Sequence, residues 1–246
     1  KGNIIKTFTS MNLDEKIINA LKDLDYKEAT EIQKKAIPVA LKKRDILAAA
    51  QSGTGKTAAF LLPILTELLA NKQANKPILR ALILVPTREL ATQISKAVDD
   101  FSKYMEVESL AMVGGVSTKD QEKKIAKGLD ILVATSGRLM EHLKNGTVDL
   151  SSVTTVVIDE VDTMLDMGFL EDIEKILPSV GPKRQIMMFS ATMNQNVKKL
   201  AKEFLTDPVV IEVAQQRSAV KIIDQQIVLV DEANKAAALS YIIGSR

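Results

Sequence analysis

Cysteine is absent from the 246 residues. Disulfides and thiolate metal sites are therefore closed to this chain. The composition fits a reducing compartment, and we expect the cytoplasm. No apolar run approaches the ~18 residues of a membrane-spanning helix, so no membrane association is expected. The first residues, Lys1 to Phe8, hold no secretory apolar core, and the chain opens on Lys rather than Met. We expect a piece of a longer protein. An excess of one charge is missing too: 33 Lys and Arg against 31 Asp and Glu leave +2. Bulk charge thus announces no polyanion partner, and any nucleic-acid site has to be local. Repeats, low-complexity tracts and Gly/Ser linkers are also lacking. What is left is 46% hydrophobic and 26% charged, an ordinary globular composition with length enough for an ample core.

One stretch organises the rest: Ala50-Gln51-Ser52-Gly53-Thr54-Gly55-Lys56-Thr57. It follows a short apolar run, Asp45 to Ala49, and opens a helix-forming run, Ala58 to Leu69. That is the strand–loop–helix setting of a phosphate-binding loop. Gly53 and Gly55 allow a tight turn and close approach of backbone to ligand. The loop N–H groups converge at a helix N-terminus, where the dipole also favours an anion. Lys56 adds a full charge for β- and γ-phosphates, and Thr57 a hydroxyl for magnesium. The strict pattern begins with Gly, where this chain has Ala50.

Before that loop, Met11–Leu24 has helical spacing, and a second helix runs from Thr30 to about Leu41. Thr30 with Gln33 is a capping-box pattern. After it, apolar runs at Ala81–Val85, Leu110–Val113, Ile131–Ala134, Thr155–Ile158 and Ile186–Phe189 read as buried strands. Helical stretches alternate with them: Arg88–Tyr104, Thr118–Lys127, Gly137–Lys144, Phe169–Leu177 and Asn194–Phe204. The alternation predicts an α/β fold, a parallel sheet with helices on both faces. Pro63 predicts a bend in the helix after the loop. We expect a boundary at 214–221, then one more strand (222–230) and one more helix (234–243).

The second signal is Val156-Val157-Ile158-Asp159-Glu160-Val161-Asp162. A β-branched run leading straight into acids puts the acids at the carboxyl end of a buried strand, where ligands bind in open α/β sheets. Asp159 is placed to hold magnesium and Glu160 to take a proton from an attacking water. Close carboxylates repel one another, which favours a cation nearby. Taken alone, the motif also fits a solvated acidic turn.

With both motifs in view, the chain resembles the first RecA-like domain of a DEAD-box RNA helicase over nearly its whole length. Pro86-Thr87-Arg88-Glu89-Leu90-Ala91 is similar to the family's motif Ia, Gly114-Gly115 to its GG element, Thr135-Ser136-Gly137-Arg138 to motif Ib and Ser190-Ala191-Thr192 to motif III. Met164 to Phe169 follows the acidic box as in the family. Val161 stands where the family has alanine, and Ser136 where it has proline. Asp25 and Ala29 depart from the adenine-sensing Q motif, here about 8–33, while Tyr26, Thr30, Ile32 and Gln33 keep to it.

The resemblance implies a RecA-like P-loop sheet of about seven strands, using ATP and Mg2+. It implies nucleotide contacts from Phe8, stacked on adenine, from Gln33 on the adenine edge, and from Tyr26, Thr30 and Gln51 to Thr57. Lys56, Asp159, Glu160, Asp162, Ser190 and Thr192 form the implied catalytic set, with Thr57 and Asp159 toward the metal. The strand ending at Ser190 should lie between the loop strand and the acid strand, so that Ser190 and Thr192 can bond Asp162. The implied RNA face is Thr87, Arg88, Gly115, Thr135, Ser136 and Arg138. Hydroxyls, guanidinium groups and bare N–H groups suit phosphates and 2′-hydroxyls, and no aromatic platform stands among them, so backbone recognition without sequence preference is expected. The lone histidine, His142, receives no role.

By the same resemblance, 1–213 is the ATP-binding half of a monomeric RNA helicase, and 222–246 begins a second RecA-like domain that this chain lacks. Three rivals remain. A GTPase or small-molecule kinase lacks support, since no Asn-Lys-x-Asp guanine signature occurs. A non-catalytic nucleotide- and RNA-binding module is the more serious one. DNA as substrate is the third.

Overall fold

The computed structural model describes residues 8–71, 77–213 and 228–244. Seven strands form one sheet: β1 (Ile46–Ala49), β2 (Ala81–Val85), β3 (Ser109–Met112), β4 (Ile131–Thr135), β5 (Thr155–Ile158), β6 (Gln185–Ser190) and β7 (Val209–Glu212). Their spatial order is β3-β4-β2-β5-β6-β1-β7, and every neighbouring pair is parallel. This is the expected α/β, RecA-like P-loop architecture. Six strands match the apolar runs of the sequence to within a residue or two. The seventh, β7, went unpredicted because only Ile211 of its four residues is buried.

The helices are α1 (Glu15–Asp23), α2 (Glu31–Ala40), α3 (Lys56–Ala70), α4 (Arg88–Phe101), α5 (Thr118–Lys127), α6 (Ser136–Lys144), α7 (Val161–Asp166), α8 (Leu170–Ile176), α9 (Gln195–Phe204) and α10 (Lys235–Gly244). Their starts follow from local chemistry. Asp14 accepts from the Lys16 N–H at 2.8 Å, so α1 starts later than the apolar spacing suggests. Thr87 caps α4 and Asn194 caps α9 through their side-chain oxygens. Pro63 lies within an uninterrupted α3. None of these helices is long and apolar enough to cross a membrane.

Side chains on a strand point alternately to the two faces, and here each face meets its own helical layer. Ile46, Ala48, Ile83, Val133, Val157, Met187 and Phe189 pack in one core with residues of α1 to α4. Leu47, Leu82, Leu84, Leu132, Val156, Ile158 and Met188 pack in another with residues of α6 to α9. A sheet buried on both faces explains why its central strands read as unbroken apolar runs. The buried Asp45 fixes the start of β1, accepting from the Ile186 N–H on one side and the Thr206 N–H on the other, both at 2.8 Å.

The chain divides into two units, 1–214 and 215–246. The expected linker at 214–221 and most of the expected strand at 222–230 lie outside the described residues, and Val228 to Val230 have no regular structure. Among the described residues of the second unit, a 3-10 turn, Glu232–Asn234, leads into α10.

Candidate nucleotide-binding site and nucleic-acid face

The strand order places the carboxyl ends of β5, β6 and β1 side by side. The strand ending at Ser190 therefore does lie between the loop strand and the acid strand. Ala49 is in register with Ser190, and the Ala50 N–H donates to the Ser190 carbonyl at 2.9 Å. From there the chain turns through Gly53 and Gly55, with φ of 79° and 93°, into α3. The Thr54 hydroxyl closes the turn on the Gln51 carbonyl at 2.7 Å.

Lys56 is the first residue of α3. Its Nζ lies 3.6 Å from Asp159 Oδ1, an ion pair just beyond hydrogen-bond reach. That ammonium is 6% exposed and has no hydrogen-bond partner among the described residues. Burial pushes the Asp159 carboxyl above its ordinary range, against the pull of the Lys56 charge and of the Glu160 N–H, which donates to Oδ1 at 2.9 Å. A buried cation without a hydrogen-bond partner, at the mouth of a glycine turn on a helix N-terminus, fits an anionic oxygen. The crowding is at Gly55, where a Cβ would overlap Gln33 Nε2.

The acidic box does not form a turn. It runs from β5 directly into α7, a helix too short for periodicity to reveal. Glu160 takes the left-handed conformation (φ 54°, ψ 49°) at the start of that helix, and the Ser52 hydroxyl reaches its carboxylate at 3.5 Å. Asp162, two residues on, accepts from both the N–H and the hydroxyl of Thr192 at 2.9 Å. Burial alone would raise this carboxyl. The bonds from Thr192 and its neighbours outweigh burial and hold it below the ordinary carboxylate range. The Ser190 hydroxyl donates to the Thr192 carbonyl at 2.7 Å and braces the turn that presents Thr192.

Gln33 is buried and doubly engaged. Its Oε1 accepts from the Thr30 N–H at 2.9 Å, the capping contact, and its Nε2 donates to the Gly55 carbonyl at 3.1 Å. One side chain thus fastens the start of α2 to the phosphate loop. Phe8 differs from its expected role. Its ring is buried, 6.1 Å from that of Tyr26, which in turn sets its edge on Phe101. The ring packs in the core, where removing its apolar surface from water stabilises the fold, and it lines a pocket together with Tyr26 and Lys27. Tyr26 itself is partly exposed.

On the other side of the sheet edge, Thr87 caps α4, and the exposed Arg88 donates to the Gly114 carbonyl at 3.2 Å. A Cβ on Gly115 (φ 78°) would overlap the Arg88 guanidinium. Thr135 is half-buried at the start of α6. Ser136 and Arg138 depart from the surface roles expected of them. The Ser136 hydroxyl is buried without a partner among the described residues. The Arg138 side chain is only 10% exposed and donates to Gln121 Oε1 (2.9 Å), the Val116 carbonyl (3.0 Å), the Thr118 hydroxyl (2.8 Å) and Glu141. Four protein acceptors leave that guanidinium little to offer a phosphate. Gln121, which the sequence does not single out, and His142, to which it gives no role, are both buried polar residues at this place, with partners five or more positions away.

The DEAD/DEAH box helicase family model matches residues 30–200, a span holding the loop, the acidic box and the turn at Ser190 to Thr192. This chain belongs to that family. It is 41% identical over 225 residues to a probable ATP-dependent RNA helicase, ddx27, of Dictyostelium discoideum, covering 91% of this chain and 29% of the relative. It is 38% identical over 240 residues to the DEAD-box ATP-dependent RNA helicase RhpA of Helicobacter pylori, covering 98% of this chain and 48% of the relative. The crystal structure of a DEAD box protein from the hyperthermophile Methanococcus jannaschii matches with a TM-score of 0.78 at 34% identity, over 97% of this chain and 63% of that one. The chain thus spans about half the length, or less, of these curated relatives.

Within the family's acidic box, Val161 stands where alanine is usual. Here it is the first residue of α7 and fully buried in the core, and Asp162 beside it still reaches Thr192.

Proposed function

We propose that this chain is the ATP-binding half of an ATP-dependent RNA helicase. The observation that carries the reading is the buried Lys56 ammonium, which lacks a hydrogen-bond partner among the described residues and sits 3.6 Å from Asp159 at a glycine turn. Lys56 and the loop N–H groups of Gln51 to Thr57 hold the β- and γ-phosphates. Thr57 and Asp159 would hold a magnesium ion, which would supply charge neutralisation at the phosphates. Glu160, next to Asp159, orients and deprotonates the attacking water. Asp162 and Thr192 join the acid strand to the turn after β6, so that a change at the phosphates is felt across the sheet edge.

RNA lies along the edge formed by Thr87, Arg88, Gly115 and Thr135, held by its backbone and without sequence preference. Binding there is weak and its salt dependence shallow, with about one released ion for Arg88, the one cation among these four. The same reading implies a monomer working in the cytoplasm. Titration of the purified chain with labelled ATP and GTP tests the nucleotide half. We expect ATP to be preferred and Lys56→Ala to abolish binding. Gln33→Ala should weaken ATP by about 1–3 kcal/mol and GTP by less, since both nucleotides use the loop that Gln33 fastens but only ATP has the adenine edge. Equal affinity of the unmutated chain for ATP and GTP would overturn the adenine assignment.

A further inference from the structure

A buried polar cluster behind the glycine loop at Gly114 and Gly115 has no role in the reading above. Gln121 of α5 stands at its centre. Its Nε2 donates to the Val113 carbonyl at 3.1 Å, which fixes the orientation of the amide. Oε1 then accepts from Arg138 Nε at 2.9 Å and faces His142 Nε2 at 3.1 Å. Because Oε1 only accepts, the imidazole proton sits on Nε2 and Nδ1 is an acceptor. It faces the Thr147 hydroxyl at 2.7 Å, whose one proton also has the His142 carbonyl within reach at 3.0 Å. Burial, followed by the Arg138 charge, pushes the His142 ring down from its usual range and keeps it neutral.

The contacts converge on one segment. Gln121 holds the Val113 carbonyl, Arg88 the Gly114 carbonyl and Arg138 the Val116 carbonyl. Three of four consecutive carbonyls, bracketing two glycines, are thereby tied to side chains from three different helices. A loop with two glycines has many conformations, and fixing one of them before a ligand arrives lowers the entropic cost of binding.

We propose that Gln121 and His142 are positioning residues for RNA binding. They keep the Arg138 guanidinium inside the protein, where it clamps the Val113–Thr118 segment. Arg138 then acts through the loop and not as a direct phosphate ligand. This rests on the reading that the loop faces RNA. The nucleotide site, built on β5, β6 and β1, is separated from β3 and its loop by β4 and β2, so it should not sense the cluster.

The test uses the whole chain and two probes, a fluorescent oligouridine at low salt and a fluorescent ADP. His142→Phe keeps a ring but loses both nitrogens. His142→Gln restores an N–H donor at the reach of Nε2. We expect His142→Phe to lose about tenfold in oligouridine affinity, the scale of one buried hydrogen-bond network, with ADP affinity unchanged. Amide exchange at Gly114 to Val116 should quicken in the same variant, and His142→Gln should recover most of the affinity. A folded His142→Phe protein with wild-type oligouridine affinity overturns the proposal. Should that variant not fold, Thr147→Val, which removes the hydroxyl contact to Nδ1 and to the His142 carbonyl and leaves the ring in place, decides instead. Weaker oligouridine binding with faster exchange at Gly115 supports the proposal, and no change in either overturns it. A wild-type chain that binds ADP but no oligouridine overturns the RNA reading and the inference with it, and that failure shows before any variant is made.

Discussion

At the scale of single residues, two side chains carry consequences that a stability measurement can read. Ser136 occupies the first position of α6, where proline is favoured because the N–H has no helical partner. Its hydroxyl is buried and lacks a partner among the described residues, which costs free energy without return. Ser136→Pro should therefore stabilise the chain by about 0.5–1.5 kcal/mol, read as a rise in urea midpoint at constant slope. Destabilisation would mean that the hydroxyl has a partner. Asp162 gives a pH signature. Its carboxyl is held below the ordinary range, so the folded state binds its proton less readily than the unfolded chain. The stabilisation is fully present above the unfolded pKa and disappears as pH falls through the lowered folded value. The stability gap between wild type and Asp162→Asn should thus shrink below about pH 4, and a gap constant from pH 7 to 3 would show that the Thr192 contacts do not favour the charged form. Motif residues were legible in the sequence: Asp159 because it directly follows an apolar strand run, Lys56 because it closes the glycine loop between such a run and a helix. Phe8 and Arg138 were not, since what claims them lies 17 or more positions away: Tyr26 for the ring, Gln121 and Val116 for the guanidinium.

At the scale of elements, legibility tracks burial. Strands buried on both faces announce themselves as apolar runs, whereas β7, an edge strand with one buried residue, does not. The six-residue α7 is shorter than two turns, so no pattern separates it from a turn. Val161, its first residue, shows what the family's alanine would do here. The Val161 side chain is fully buried, and Val161→Ala should cost about 1.5–3 kcal/mol through lost burial and a residual cavity, with nucleotide affinity little changed. An equally stable alanine variant would show that the core closes over the gap. A second element-level prediction concerns the joint between α2 and the phosphate loop. Gly55→Ala suffers twice, from its left-handed φ and from overlap with the Gln33 amide. Gln33→Ala relieves only the second. A double-mutant cycle should therefore show Gly55→Ala as less damaging in the Gln33→Ala background, by about 1 kcal/mol. Strict additivity would mean that the two side chains do not meet.

At the scale of the whole molecule, the decisive feature is where the arginines are. Charge spreads over the γ-phosphoryl oxygens in the transition state, and an arginine reaching them contributes roughly 10³ to 10⁵ in rate. The described residues include Arg44, Arg80, Arg88, Arg138 and Arg184, and each is bonded elsewhere. Arg44 holds Asp207, Arg80 holds Asp130, Arg88 holds Gly114, Arg184 holds Val180, and Arg138 lies in the cluster with Gln121. Lys56, Thr57, Asp159 and Glu160 can hold Mg-ATP and aim a water, but no described arginine is free to complete the charge. The curated relatives, about twice as long or more, have chain from which such an arginine can come. We therefore expect this chain to bind ATP and ADP weakly, to hydrolyse ATP barely above background and to unwind no duplex. RNA should not stimulate hydrolysis, because stimulation requires closure of a second body over the site. Supplying the relatives' second half, in cis or in trans, should restore RNA-dependent turnover, and Glu160→Gln should abolish what is restored. Steady-state phosphate release by the purified chain, with and without RNA, measures this directly. Robust RNA-stimulated release that Lys56→Ala removes would show that these 246 residues complete the active site unaided.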